Sequence, residues 1–164
     1  MGIAVAILAF VTLQRLGELV LARRNTRRLL AAGAKEYGAG HYPLLVGLHA
    51  AWLAALWWWA PGRGVDLPLL ALFALLQLGR LWVIGSLGPR WTTRIIVKPG
   101  EPLVRAGPYR YLSHPNYAVV AAEIAVLPLV FGLAGIAVLF SICNAIVLWV
   151  RIRAENEALE GSSQ

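Results

Sequence analysis

A chain of 164 residues that is 59% hydrophobic and only 14% charged lies outside the soluble globular range, where about a quarter of residues are charged. Its formal charge of +7 excludes little by itself, but the basic residues flank apolar runs, a distribution that anionic headgroups explain without any nucleic-acid partner. One cysteine, Cys143, excludes an intrachain disulfide and any cysteine-based metal site.

A bilayer core about 30 Å thick takes roughly 20 apolar residues per helix. Five spans can be drawn: residues 2–22, 43–61, 67–88, 117–133 and 134–150. They use most of the chain, so the expectation is an all-α integral membrane protein forming one domain over residues 1–164. The first span lacks a basic n-region. Its far end carries Gln14, Arg15, Glu18, Arg23 and Arg24 rather than a small-residue cleavage site, so it reads as a retained helix. Next comes a loop with Gly33, Gly38 and Gly40 around Tyr37, then His41-Tyr42-Pro43, where Pro43 marks the start of the second helix. Trp57, Trp58 and Trp59 form an aromatic belt just before the external turn Pro61-Gly62-Arg63-Gly64. The longest polar segment is 89–116. Its Thr92–Val97 piece is extended or interfacial in character, followed by turns at Pro99-Gly100 and Gly107-Pro108. Gly132 to Gly135 breaks the last apolar stretch into a tight helical hairpin, and residues 160–164 read as a frayed tail.

Charge fixes the expected orientation. Arg23, Arg24, Arg27, Arg28 and Lys35 follow the first span. Arg90, Arg94, Lys98, Arg105 and Arg110 follow the third, and Arg151 and Arg153 follow the fifth. The other side has only Arg63. The positive-inside rule then puts the N-terminus outside and both long loops and the C-terminus in the cytoplasm, consistent with a bacterial inner-membrane protein whose site faces the cytoplasm.

Ionisable groups at membrane depth cost about 2.5–3.5 kcal/mol on insertion scales, so they face protein or water. Arg15 and Glu18 are three apart and share a helical face, as do Gln77 and Arg80. Snorkelling and structural pairing are both open to them. Glu123 lies half a helical turn out of phase with His114 and is expected to be a buried structural partner rather than a catalytic group. Asn144, Arg151 and Glu155 fall on one face if the fifth helix continues past the membrane; the plain alternative is a solvated helix end with an ordinary ion pair.

The most informative stretch is Gly107-Pro108-Tyr109-Arg110-Tyr111-Leu112-Ser113-His114-Pro115-Asn116-Tyr117. Pro115 suits the first turn of the fourth helix with Ser113 or His114 at the cap, which puts His114 and Tyr117 on one face at a helix N-terminus. Unpaired N–H groups and the positive dipole end there favour a carboxylate, such as that of a small zwitterion. An interfacial His and Tyr at headgroup level would look the same.

Gly-Pro-Tyr-x-x-x-x-His-Pro-x-Tyr ahead of a hairpin, with Arg-x-x-x-Glu just after it, resembles the isoprenylcysteine carboxyl methyltransferase family. The match in order and spacing covers about residues 88–160. The N-terminal half, with Gln14–Leu19 and Glu36-Tyr37-Gly38-x-x-His41-Tyr42-Pro43, looks like a small bacterial branch whose members O-methylate alkylpyrones or alkylresorcinols. Two departures stand out. The usual Arg-His-Pro is Ser113-His114-Pro115, which leaves Arg110 as the nearest substitute cation, and the usual paired glutamates become Glu155-Asn156-Glu157.

The resemblance implies S-adenosylmethionine as cofactor, held at the cytoplasmic face by Tyr109, His114, Pro115 and Tyr117, with the backbone at Gly107 closing over it and Lys98 and Glu101 contributing from the loop. It implies a lipophilic acceptor arriving from the bilayer: a phenol or enol deprotonated by Glu155 beside Arg151, or a carboxylate that needs Arg151 alone. No metal, nucleic acid or obligate protein partner is expected. The competing classes are a non-catalytic membrane scaffold or transport protein and a haem protein using His41, His49 or His114. Sterol reductases share the superfamily, but five spans and a short tail leave little room for NADPH.

Overall fold

A computed structural model describes residues 2–161. It contains five helices: α1 Ile3–Ala31, α2 Tyr42–Trp59, α3 Leu67–Leu87, α4 Pro115–Val130 and α5 Ala134–Gly161. Proline in the first turn starts α2, α3 and α4, where its fixed φ suits the helix and its missing N–H is no loss. Asp66 caps α3 by accepting from the Leu69 amide at 2.9 Å. The α4–α5 hairpin turns on Phe131–Leu133, with Gly132 at φ 68°, a left-handed conformation that only glycine takes cheaply.

Three of the helices, Ile3–Ala31, Leu67–Arg90 and Ala134–Glu160, are long and apolar enough to cross a membrane. The α4 helix has 16 residues and spans about 24 Å at 1.5 Å per residue, short of a full bilayer core. In α2, His49 and four tryptophans dilute the apolar character. The burial pattern supports a lipid surround. Leu13, Leu75, Leu78, Leu139, Ile142 and Ile146 are each more than half exposed, while Glu18, Asn25, Arg80, Glu123, Asn144 and Arg151 are buried. In water that arrangement would be costly on both counts; in lipid it is the economical one.

Several boundaries differ from the sequence expectation. α1 continues past residue 22 to Ala31, so Arg23, Arg24, Arg27 and Arg28 ride on a helix and not in a loop. α4 begins at Pro115 with His114 at the cap, as that proline led one to expect, two residues ahead of the apolar span drawn from 117. α5 runs unbroken past Arg151, and of the tail expected to fray, Glu160 and Gly161 are helical while residues 162–164 lie outside the described region. The chain is also not purely helical. Strand β1 (Lys35–Tyr37) pairs antiparallel with β2 (Ile95–Val97), Glu36 opposite Ile96. The extended character of residues 92–97 was legible; its partner in the glycine-rich first loop was not, because a three-residue strand carries no periodicity.

This small sheet positions the site. It joins the two long loops, and Ile95 and Val97 pack on Ala154 and Ala158 of α5. Glu36 accepts from Arg94 Nη1 at 2.6 Å, and the Arg94 guanidinium lies 4.4 Å from the centre of the Tyr42 ring. On α1, the Asn25 amide donates to the carbonyls of Trp91 (2.8 Å) and Gly88 (3.3 Å), fixing the 3-10 turn Gly88–Arg90. The opposite end is closed by the Asp66 amide donating to Val130 carbonyl at 2.9 Å and by a core of Leu8, Val11, Trp52, Leu56, Leu127 and Phe131.

Candidate active site

Two sequence-distant clusters meet at the loop end of the bundle. His114 is the N-cap of α4, and its side chain makes no cap bond. Three residues on, Tyr117 brings its ring against the imidazole, centroids 5.4 Å apart and planes 15° from parallel. The Tyr117 hydroxyl donates to Glu155 Oε2 at 2.7 Å, and His114 Nδ1 lies 3.6 Å from the same oxygen. One turn back on α5, Arg151 is only 3% exposed. Its Nη2 donates to the Thr93 carbonyl at 3.0 Å and its guanidinium lies 5.8 Å from the Tyr117 ring centre. Its Nε is buried without a partner, leaving one donor unspent. A buried, unspent cationic donor beside a carboxylate is costly as a purely structural arrangement, which points to a ligand.

These groups stand in the wall of a cavity of about 1050 Å³. Of the residues expected from sequence, Lys98, Tyr109, His114, Tyr117, Arg151 and Glu155 line it. Gly107 and Pro115 do not. Gly107 has φ 56°, and a Cβ there would fall on Ser86 Oγ and within 3.1 Å of Trp82 Nε1, so it seats the 3-10 turn Gly107–Arg110 against α3. Pro115 is buried in the first turn of α4 and sets the angle of His114. Both position the cluster and stand behind it. Burial, assisted by the Glu155 carboxylate, pushes the Tyr109 phenol up to about 12, so it remains a neutral donor throughout the physiological range.

Arg110, the expected replacement for the cation lost at Ser113, is exposed, lies outside the wall of this cavity and sits 6.0 Å from the Tyr111 ring centre. The loop cations that line the cavity are Arg90, Arg94, Arg105 and Lys98. The first three read in the sequence as orientation signals only; a loop folding back over the helix ends turns them inward, which no local pattern announces.

Deeper in the bundle lies a second polar cluster. Glu123, fully buried, accepts from Arg15 Nη2 (2.8 Å), Gln77 Nε2 (2.7 Å) and Arg80 Nη1 (2.9 Å). Glu18 accepts from both Arg80 and Arg15 Nη1. The Arg15–Glu18 pair exists, Gln77 and Arg80 meet through Glu123, and the whole is fused across α1, α3 and α4 into one network with Glu123 as the structural partner.

Residues 69–161 match the isoprenylcysteine carboxyl methyltransferase (ICMT) family. The chain belongs to that family. It is also similar to the protein named Uncharacterized protein YpbQ of Bacillus subtilis strain 168, with 38% identity over 94% of this chain and 95% of that one. No solved structure matches it. The ICMT match begins inside α3 and closes at the end of α5, so both clusters of the site fall within it while α1 and α2 lie outside. As an ICMT-family member the protein is an integral membrane methyltransferase.

Proposed function

We propose that the protein transfers a methyl group from S-adenosylmethionine to an oxygen of a lipophilic acceptor, either a polyketide-type phenol or enol or an isoprenyl-type carboxylate, at the cytoplasmic face of a bacterial inner membrane. The observation that carries this reading is the convergence of Tyr117, Glu155 and buried, under-bonded Arg151 in the wall of one cavity.

The residues present fit the cofactor. A cavity of about 1050 Å³ exceeds what one cofactor fills and leaves space for an acceptor. The uncapped N-terminus of α4, with His114 and Lys98, suits its carboxylate. The ring of Tyr109, which also lines the cavity, suits its sulfonium cation. When bound, S-adenosylmethionine supplies an electrophilic methyl that an acceptor oxygen takes, the carbon–sulfur bonding pair staying with sulfur. Arg151, held by Thr93 and the Tyr117 ring, directs its free Nε–H towards a developing or resident oxyanion. For a phenol, ordinarily near 10 in water, Glu155 Oε1 receives the proton, since Oε2 is held by Tyr117. A carboxylate acceptor needs only the alignment and the Arg151 charge.

The test is calorimetry with S-adenosylmethionine on the protein in nanodiscs, followed by transfer of labelled methyl to a lipid extract and mass spectrometry of the product. Binding and a labelled lipid are expected. Arg151→Ala should lower transfer on the order of 100-fold while still binding cofactor, the typical cost of one oxyanion donor. Absence of cofactor binding by the parent protein defeats the reading.

A further inference from the structure

The α1 helix is longer than a bilayer core is thick. Its 29 residues rise about 43 Å at 1.5 Å per residue, against about 30 Å of hydrocarbon. The run from Ile3 to Ala22 fills that core. The helix then carries Arg23, Arg24, Arg27 and Arg28 through roughly the next 8 Å, the depth of the headgroup layer.

Helical phase decides which way these arginines face. Leu13, Leu16 and Val20 are each more than half exposed and mark the lipid-facing side of α1. At about 100° per residue, those three and the four arginines fall within one arc of about 140°, and Ala22 and Asn25 lie opposite. The lipid-facing stripe thus runs into a cationic one without changing face. All four arginines are exposed. Among the described residues, none of them enters an ion pair or a side-chain hydrogen bond. The acid on their own helix, Glu18, is spent on Arg15 and Arg80. Arg90 and Arg94, by contrast, each face a carboxylate, from Glu101 and Glu36. The pairs Arg23/Arg27 and Arg24/Arg28 set like charges one turn apart, which costs helix stability unless an anion sits between them.

The reverse face of the same turns belongs to the cavity. Ala22 packs with Val83 and Trp91, and the Asn25 amide donates to the carbonyls of Trp91 and Gly88. Leu29 lines the cavity, as do Arg90 and Trp91. One segment therefore presents guanidinium groups to the headgroup layer and a wall to the cavity. It lies outside the ICMT match.

We propose that the Arg23–Arg28 face of α1 binds anionic phospholipid headgroups, each pair of arginines one turn apart taking one phosphodiester, and that occupancy braces the cavity wall through Asn25. Two guanidinium groups on one phosphate satisfy their charge and offer it forked donors, which a zwitterionic headgroup with its own cation repays less well. Retention of lipid needs no cofactor, so the proposal stands apart from the methyl-transfer reading. The test uses the full chain in nanodiscs of phosphatidylcholine, with or without an equal share of phosphatidylglycerol. Native mass spectrometry of protein released from the mixed discs should show phosphatidylglycerol retained about 10-fold or more over phosphatidylcholine. Amide exchange of residues 23–34 and 88–91 should slow about 3-fold in the mixed discs, with α4 unchanged. Arg27→Gln/Arg28→Gln keeps Arg23 and Arg24 and should lose most of the preference, whereas Arg27→Lys/Arg28→Lys should keep most of it. Should the glutamine variant fail to insert, the parent protein in the two kinds of disc decides. Equal retention of the two lipids, exchange indifferent to lipid charge, undiminished preference in the glutamine variant, or a lysine variant that loses as much as the glutamine one overturns the proposal.

Discussion

At the scale of single residues, the site is an arrangement of aromatic faces and one carboxylate around a buried guanidinium. Tyr117 has three roles at once: it donates to Glu155, stacks on His114 and underlies Arg151. Tyr117→Phe removes only the first. A hydrogen bond to a charged group contributes about 1.5–3 kcal/mol, so cofactor binding should weaken on the order of 10-fold or more by calorimetry. Tyr117→Ala should cost more. Tyr109 has its phenol raised to about 12, so its contribution to stability is fully present below pH 10, its unfolded value, and is lost as pH rises towards 12. Ultraviolet difference titration should therefore show Tyr109→Phe and parent indistinguishable up to about pH 11 and diverging above it. Most of this cluster was legible in the sequence, because His114/Tyr117 and Arg151/Glu155 are each set by helical phase. The inward turn of Arg94 and the Thr93 carbonyl under Arg151 were not, since both depend on how a loop folds over helix ends.

At the scale of elements, the loops rather than the helices set the geometry. The β1–β2 pair is three residues a side, too short to persist alone. It is held by the Glu36–Arg94 pair, Tyr42 beneath it and α5 behind it. Glu36→Gln should loosen residues 92–98, raising their amide exchange more than tenfold, and with them the Arg151 contact to Thr93, while the helices exchange as before. Gly107→Ala is the complementary perturbation. It places a side chain at φ 56° and onto Ser86, at a cost of about 1–3 kcal/mol, and should displace Tyr109 and lower the thermal midpoint. Rescue by Ser86→Gly would be only partial, because the positive φ remains.

Across the whole molecule, a buried polar network joins the helices beside an apolar core, with further apolar groups facing outward. The Arg15–Glu18–Gln77–Arg80–Glu123 network links three helices at a depth where lipid can satisfy no member left alone. Arg80→Met leaves two carboxylates short of a partner and should destabilise the bundle by about 3–5 kcal/mol, measured as unfolding in detergent. Glu123→Gln, which preserves shape and an acceptor, should cost less. The surface prediction is equally direct: a cysteine placed in the 60–64 turn should react with a membrane-impermeant reagent from outside, and one at Lys98 should not, following the charge asymmetry of the loops.

The sequence by itself determined the membrane setting, the helix starts at prolines, the α4–α5 hairpin and the two halves of the site, because each follows from composition, from a proline or glycine, or from residues three, four or seven apart on one helix. It also carried the ICMT family in the spacing of those two clusters. Only the tertiary structure decided that Arg15 and Arg80 share two carboxylates with one another, that two loops pair as strands over α5, and that residues of α1 and α2 line the same cavity as His114 and Glu155. Gln77 and Arg15 stand 46 and 108 positions from Glu123, and no periodicity reaches that far. Helical phase says which side a residue faces; only packing says what faces it.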